Sequence, residues 1–210
     1  MNTASCAIDT ALAPAWRQVD EPADLVQIFD PEVQVCSWRR EFDPAITAYL
    51  ATPVQAGTLQ TIASLHAGDR PRLPDLPAGS GREALIDDIA MLGDMLRDLL
   101  DCAAAGLRLA RVKHAMCPGW HMDRTGIRLV CTYQGPGTEW LDDQGVDRRS
   151  SRLERLKDDT FIQAAPGEVV LLKGVLWQGN DGLGAVHRSP EITDDAGPRT
   201  LVTLDPLWEA

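Results

Sequence analysis

The sequence predicts an α+β chain, with N-terminal helices packed on a C-terminal jelly-roll barrel. Two observations carry this. Residues 80–105 show three- and four-residue apolar spacing, whereas from Leu107 onward the period drops to two. The second half is also built from short apolar runs separated by Gly and Pro turns, the pattern of a barrel or jelly roll.

The chain has 210 residues, 44% of them hydrophobic, enough for one domain with a sizeable core. Residues 1–20 read as a loosely held N-terminus. Residues 21–208 read as one domain, mainly helical over 21–106 and a β-barrel over 107–208. VQVCSWRR (33–40) reads as a strand with Val33, Val35 and Ser37 on one face. DPAITAYLA (43–51) reads as a short helix stopped by Pro53. GDRPRLPDLPAGSG (68–81) is a Pro- and Gly-rich loop. Ser80 and Glu83 form an S-x-x-E capping box for a long helix, with Leu85, Ile89, Leu92, Leu96 and Leu99 on its apolar face and Gly106 as its stop. LRLARVKHAM (107–116) and RLVCTYQ (128–134) follow as strands. DDQGVDRRSSRLERLKDD (142–159) is a polar loop with some helix. FIQAAPGEVVLLKGVLW (161–177) holds two strands around Pro166–Gly167, and AVHRSP and RTLVTLDPLW close the barrel.

The net charge is −11, which disfavours nucleic-acid backbones and gives no attraction to an anionic membrane. No run reaches the ~20 apolar residues of a membrane span. MNTASCAIDTALAPAW lacks the basic region of a signal peptide, so a cytoplasmic location is expected. The five cysteines, Cys6, Cys36, Cys102, Cys117 and Cys131, are then expected to be reduced thiols. Oligomeric state has no signature in the sequence.

Chemistry concentrates in CPGWHMDRTGIRL (117–129). His121 and Asp123 are two apart, so on a strand they project from the same face. His187 is the one histidine downstream of Asp123, and it opens a late strand. Two imidazoles and one carboxylate make the facial triad of non-haem Fe(II) oxygenases, with positions left open for co-substrate and dioxygen. Arg199 lies twelve residues beyond His187, and so resembles the basic residue that 2-oxoglutarate oxygenases carry at about this distance to bind the far carboxylate of the co-substrate, a task a guanidinium fork suits. Lys173, in a strongly apolar strand pair, is the reserve candidate for that carboxylate. Arg128, Tyr133, Glu139, Trp140 and Arg188 are candidates to line the site, the GPGTEWL stretch forming its mouth.

Other readings of the same residues stay open. His121 and Asp123 could be a hydrogen-bonded loop pair, and Arg199 could pair with Asp194, Asp195 or Asp205. Cys117, four before His121, would with the triad complete a closed tetrahedral zinc site; Cys131 is placed more simply in the core. His114 reads as a solvent-facing strand residue, and His66 has no assigned role.

The motifs CPxxHxD, GPGTEWL, VVLLKG and AVHRSP, in that order over roughly residues 20–208, resemble an uncharacterised bacterial domain family. That resemblance supplies no reaction, but it implies a role in metal supply and so favours zinc. His121, Asp123, His187 and Arg199 are also similar to the pattern of the double-stranded β-helix oxygenases, with one departure: Leu201 stands where those enzymes carry Ser or Thr two beyond the arginine. Two functions follow. One is an Fe(II)/2-oxoglutarate-type oxygenase acting on a small molecule or a protein side chain. The other is a non-enzymatic zinc protein of metal homeostasis using Cys117. In either case the cofactor is a divalent metal, Fe(II) or Zn(II).

Overall fold

A computed structural model describes residues 15–52, 59–142, 146–147, 154–155, 161–193 and 197–209. The chain enters through β1 (Trp16–Val19), a 3-10 helix (Pro22–Phe29) and β2 (Val35–Trp38). Pro22 suits the first turn of the 3-10 helix, which buries Leu25 and Ile28. α1 (Pro44–Leu50) is capped by Asp43, whose carboxylate accepts from the Ala45 N–H at 2.8 Å, with Pro44 at the first helical position. The predicted stop, Pro53, lies outside the described residues. β3 (Leu59–Leu65) and α2 (Arg82–Leu100) follow.

α2 buries Leu85, Ile89, Leu92 and Leu96 completely, as the apolar spacing predicts. Its two ends differ from expectation. The cap position is Gly81, with φ of 88° and no side-chain cap, so Ser80 forms no capping box. Glu83 instead pairs with Arg70 and Arg82. A Cβ at Gly81 would lie 2.1 Å from the Ala45 carbonyl oxygen, so close packing of α1 on this corner requires glycine there. At the other end Asp101 turns the chain with φ of 49°, and Gly106 lies inside the next strand.

The β-rich half comprises β4 (Ala104–Val112), β5 (Ile127–Gln134), β6 (Glu139–Leu141), β7 (Val146–Asp147), β8 (Glu154–Arg155), β9 (Phe161–Gln163), β10 (Val169–Lys173), β11 (His187–Arg188) and β12 (Arg199–Leu207). Seven strands form one sheet in the order β1-β2-β10-β5-β12-β4-β3, antiparallel throughout except the β1–β2 edge pair. Three more form a second sheet, β11-β6-β9, and β7 pairs with β8.

Three of the seven strands thus come from before residue 107, so the N-terminal part is not mainly helical. Residues 16–19, predicted to be loosely held, are hydrogen-bonded to β2. Of the predicted 142–159 loop, the described part is the β7–β8 ladder rather than helix. β3 escaped the sequence reading because it is an edge strand with Gln60, Ile62 and Ser64 exposed, so its alternation carries little hydrophobic contrast.

Strand alternation sends side chains to two cores. On one face Leu107, Leu109, Leu129, Cys131 and Val202 pack with the helices through Ile46, Leu92 and Leu96. On the other face Ala110, Val130, Val170 and Leu201 pack with Trp140, Ala164 and Ala185 of the small sheet and its flanks. The result is a mixed α+β, jelly-roll-like sandwich of helices, large sheet and small sheet. Among the described residues no helix is long and apolar enough to cross a membrane. Leu96→Ala should cost roughly 2–5 kcal/mol in chemical denaturation, because the fully buried position leaves a cavity. Ile62→Ala, at a side chain 73% exposed, should stay within about 0.5 kcal/mol of the parent.

Candidate functional site

The site begins with two backbone hydrogen bonds. The His121 N–H donates to the His187 carbonyl at 3.0 Å, and the His187 N–H returns to the His121 carbonyl at 2.9 Å. This antiparallel bridge extends the small sheet by one residue beyond β11, whose other side pairs His187 with Trp140. It sets the imidazoles side by side, tilted by 48° with centroids 4.4 Å apart. Asp123 is not on a strand; it lies in the irregular segment just after the bridge, and its carbonyl accepts from the Val175 N–H at 3.0 Å. Gly174 permits this approach, since a Cβ there would meet the Thr125 carbonyl oxygen at 2.3 Å and that of Asp123 at 2.9 Å.

The carboxylate therefore reaches both rings. Asp123 Oδ1 is 3.7 Å from His121 Nε2, and Oδ2 is 3.6 Å from His187 Nε2. Ligand-capable atoms of the three residues all lie within 4.8 Å of one another. Each imidazole places Nδ1 2.9 Å from a carbonyl oxygen, of Gly119 for His121 and of Ala185 for His187. A carbonyl only accepts, so Nδ1 carries the proton and the Nε2 lone pairs are left for the cluster. Burial pushes His187 down to about 4 against the opposing pull of Asp123, which keeps it neutral. Arg128 anchors Asp123 from behind, donating to Oδ2 at 2.6 Å, and its other nitrogens grip Asp205 at 2.8 and 2.9 Å.

These residues open on a cavity of about 120 Å³. Arg199, 1% exposed, forms part of its wall. Its Nη2 donates to the hydroxyls of Thr132 and Thr138 at 3.1 and 2.8 Å, whereas its Nε is buried with no partner. Burial lowers its pKa to about 10, partly offset by Glu139. No carboxylate of the described residues reaches it: Asp205 is held by Arg128, and Asp194 and Asp195 lie outside the described residues. A buried guanidinium without a counter-ion is an anion site in waiting. The GPGT turn shapes it. Gly135 has φ of 80°, and a Cβ there would sit 3.0 Å from Arg199 Cα. A Cβ at Gly137 would lie 2.1 Å from the Ala164 carbonyl oxygen. Both glycines let the turn press against β12 and present Thr138. Leu201 lines the cavity two beyond Arg199, and the hydroxyls come instead from Thr132 and Thr138.

Of the other predicted lining residues, Arg128 and Arg188 face the cavity. Tyr133 does not. It has the opposite parity to Arg128 on β5, packs in the helix-side core, and donates to Asp88 at 2.5 Å. Asp88 also holds Arg40 at 2.6 and 2.7 Å, tying α2 to the sheet. Lys173 is absent from the cavity wall, because its Nζ donates to the Asp30 carbonyl at 2.8 Å. Trp140 is fully buried in the inter-sheet core, edge-on to Trp16. Glu139 stands behind Arg188, accepting from its Nε at 2.6 Å. Cys117 is exposed on the cavity rim, and its thiol is not among the clustered ligand atoms. Cys131 is buried, its thiol pushed up to about 12 by burial. His114 and His66 are exposed and stand outside the cluster. Thr132, Thr138, Arg108 and Ser189 went unmarked in the sequence. Thr132 could have been found, since it shares the strand parity of Arg128.

The model of a family described as a protein of unknown function, DUF1826, matches residues 19–205, and the chain belongs to that family. No curated protein matches the sequence. Among solved structures, it is similar to the dioxygenase for auxin oxidation 1 of Arabidopsis thaliana in its 2-oxoglutarate complex (TM-score 0.50, 10% identity, 93% of this chain and 92% of that one). It is also similar to JOX2 in complex with 2-oxoglutarate, Fe and JA (0.51, 14%, 91% and 74%). A third is a candidate oxygenase from Shewanella oneidensis (0.52, 12%, 92% and 89%). At these identities the likeness is one of fold.

Replacing Arg128 by Ala should destabilise the protein by about 1–2 kcal/mol near neutral pH, by leaving Asp123 and Asp205 without their shared cation. Urea titrations of the parent and the variant check this.

Proposed function

We propose that this chain is a non-haem Fe(II), 2-oxoglutarate-type oxygenase acting on a small molecule or a protein side chain, with residues 21–208 working as one unit. One observation carries the proposal: three ligand atoms converge on a small cavity whose wall holds a buried arginine lacking a carboxylate partner. The donor set fits the metal. His121 Nε2, His187 Nε2 and an Asp123 oxygen would hold it, with both imidazoles already fixed in the required tautomer. When bound, the metal supplies redox chemistry, coupling oxidative decarboxylation of a 2-oxo acid by dioxygen to oxidation of the substrate. Arg199 would take the far carboxylate of the co-substrate, its free Nε supplying the donor that Thr132 and Thr138 leave over. The neighbours solved with 2-oxoglutarate, one of them also with Fe, share the fold and so support the cofactor assignment.

The zinc-homeostasis reading requires the Cys117 thiol beside the triad. That thiol lies outside the cluster, so the rival has no support here.

Protein purified without added metal should carry a divalent ion by elemental analysis. His121→Ala, Asp123→Ala and His187→Ala should each lose it while keeping the fold. Anaerobic Fe(II) protein should develop a weak visible band with 2-oxoglutarate. Arg199→Ala should weaken 2-oxoglutarate binding by about 2–5 kcal/mol, the usual cost of truncating one partner of a buried charge pair. Full metal stoichiometry in all three triad variants, or no 2-oxoglutarate affinity in the parent protein, would refute the proposal.

A further inference from the structure

Four arginines line the cavity: Arg108, Arg128, Arg188 and Arg199. This is unexpected in a chain with 31 acidic and 20 basic residues. Three of the four have defined places. Arg128 is held between Asp123 and Asp205. Arg188 is bound to Glu139 and lies over the Trp120 and Phe161 rings, 4.4 and 5.6 Å from their centroids. Arg199 is sealed in the interior.

Arg108 differs from all three. It lies on β4 opposite Thr203, with the strand parity of Ala110, which faces the small sheet. It is exposed, and among the described residues no carboxylate pairs with it. Its contact is with the Met116 sulfur at 3.5 Å, a weak acceptor that leaves the rest of the guanidinium fork available. Met116, Cys117 and Ser189 complete that rim: the Cys117 N–H lies 3.4 Å from the Ser189 hydroxyl, and Met116 is 37% exposed.

Volume and charge then divide the labour. The cavity is small, about 120 Å³, and Arg108 stands on its wall with Met116 and Cys117. A second reactant lying at the mouth would meet Arg108. Setting the four arginines against Asp123, Asp205 and Glu139 leaves one positive charge. A divalent metal and a dicarboxylate co-substrate cancel each other, so the loaded site still carries that one charge.

We infer that the primary substrate is a small organic monocarboxylate whose charged end is taken by Arg108 at the cavity mouth, its alkyl part lying over Met116. The inference rests on the oxygenase reading for the occupant of the interior. Arg108 itself needs no metal to bind an anion. A phosphate ester would bring more negative charge than the site leaves unbalanced.

The test uses hexanoate and its neutral amide, hexanamide, as probes. Binding is followed by saturation-transfer NMR and calorimetry, on metal-free protein and on protein loaded with Zn(II) and 2-oxoglutarate. Hexanoate should bind about tenfold more tightly than hexanamide, a preference that Arg108→Gln removes and Arg108→Lys largely keeps. Arg199→Ala should lose 2-oxoglutarate and retain the hexanoate preference. Equal binding of the two probes, no binding of hexanoate, or a preference that survives Arg108→Glu overturns the inference. An Arg108-dependent preference on metal-free protein, with no 2-oxoglutarate affinity after Fe(II) or Zn(II) is supplied, would sink the oxygenase reading and leave this one standing.

Discussion

Everything at the site depends on the one-residue bridge between His121 and His187. Two backbone hydrogen bonds join a loop to a two-residue strand far away in sequence, whose other side is held by β6. The bridge sets the separation of the imidazoles, and the carbonyls that flank it set their tautomers. Gly174 then brings the next bend close enough for Asp123 to join them. The scaffold behind this arrangement is stiff. The small sheet packs its fully buried Trp140 against the large one, and the large sheet is backed by α2 through a buried apolar face and the Arg40–Asp88–Tyr133 network. Rigid elements position the ligands, and the loops between them supply access.

Local pattern made part of this legible in the sequence. The i, i+2 spacing of His121 and Asp123, and a lone later histidine opening a strand, were enough to draw the triad together, although Asp123 lies in an irregular segment and not a strand. Period-two alternation located β4 and β5, whereas β10, buried on both faces, was legible as a β-branched apolar run after the Pro166–Gly167 turn. The failures also have physical causes. Tyr133 and Arg128 were both assigned to the site although five positions apart, an odd separation that a strand cannot place on one face. Lys173 looked like an anion ligand because its sequence neighbours are apolar; its true partner, the Asp30 carbonyl, is a backbone group that no composition reveals. The capping box failed because contact with α1 selects a left-handed glycine over a hydrogen-bonding serine.

The GPGTEWL stretch shows how a motif can be visible while its purpose is hidden. Its glycines avoid the Ala164 carbonyl and the Arg199 backbone, its threonine orients the guanidinium, its glutamate restrains Arg188, and its tryptophan fills the inter-sheet core. One turn and strand thus carries four consecutive tasks, yet only Thr138 touches the candidate chemistry directly.

The contrast between the acidic exterior and the arginine-lined interior has a kinetic side. With a net charge of −11 the molecule as a whole repels anions, and that field extends for about one Debye length, ~8 Å at physiological ionic strength. Attraction by the four cavity arginines takes over only at shorter range. Added salt screens the distant repulsion more than the close, partly desolvated contacts. For an anionic ligand of the kind proposed, encounter should therefore be faster at moderate salt than at low salt, the reverse of the usual steering behaviour.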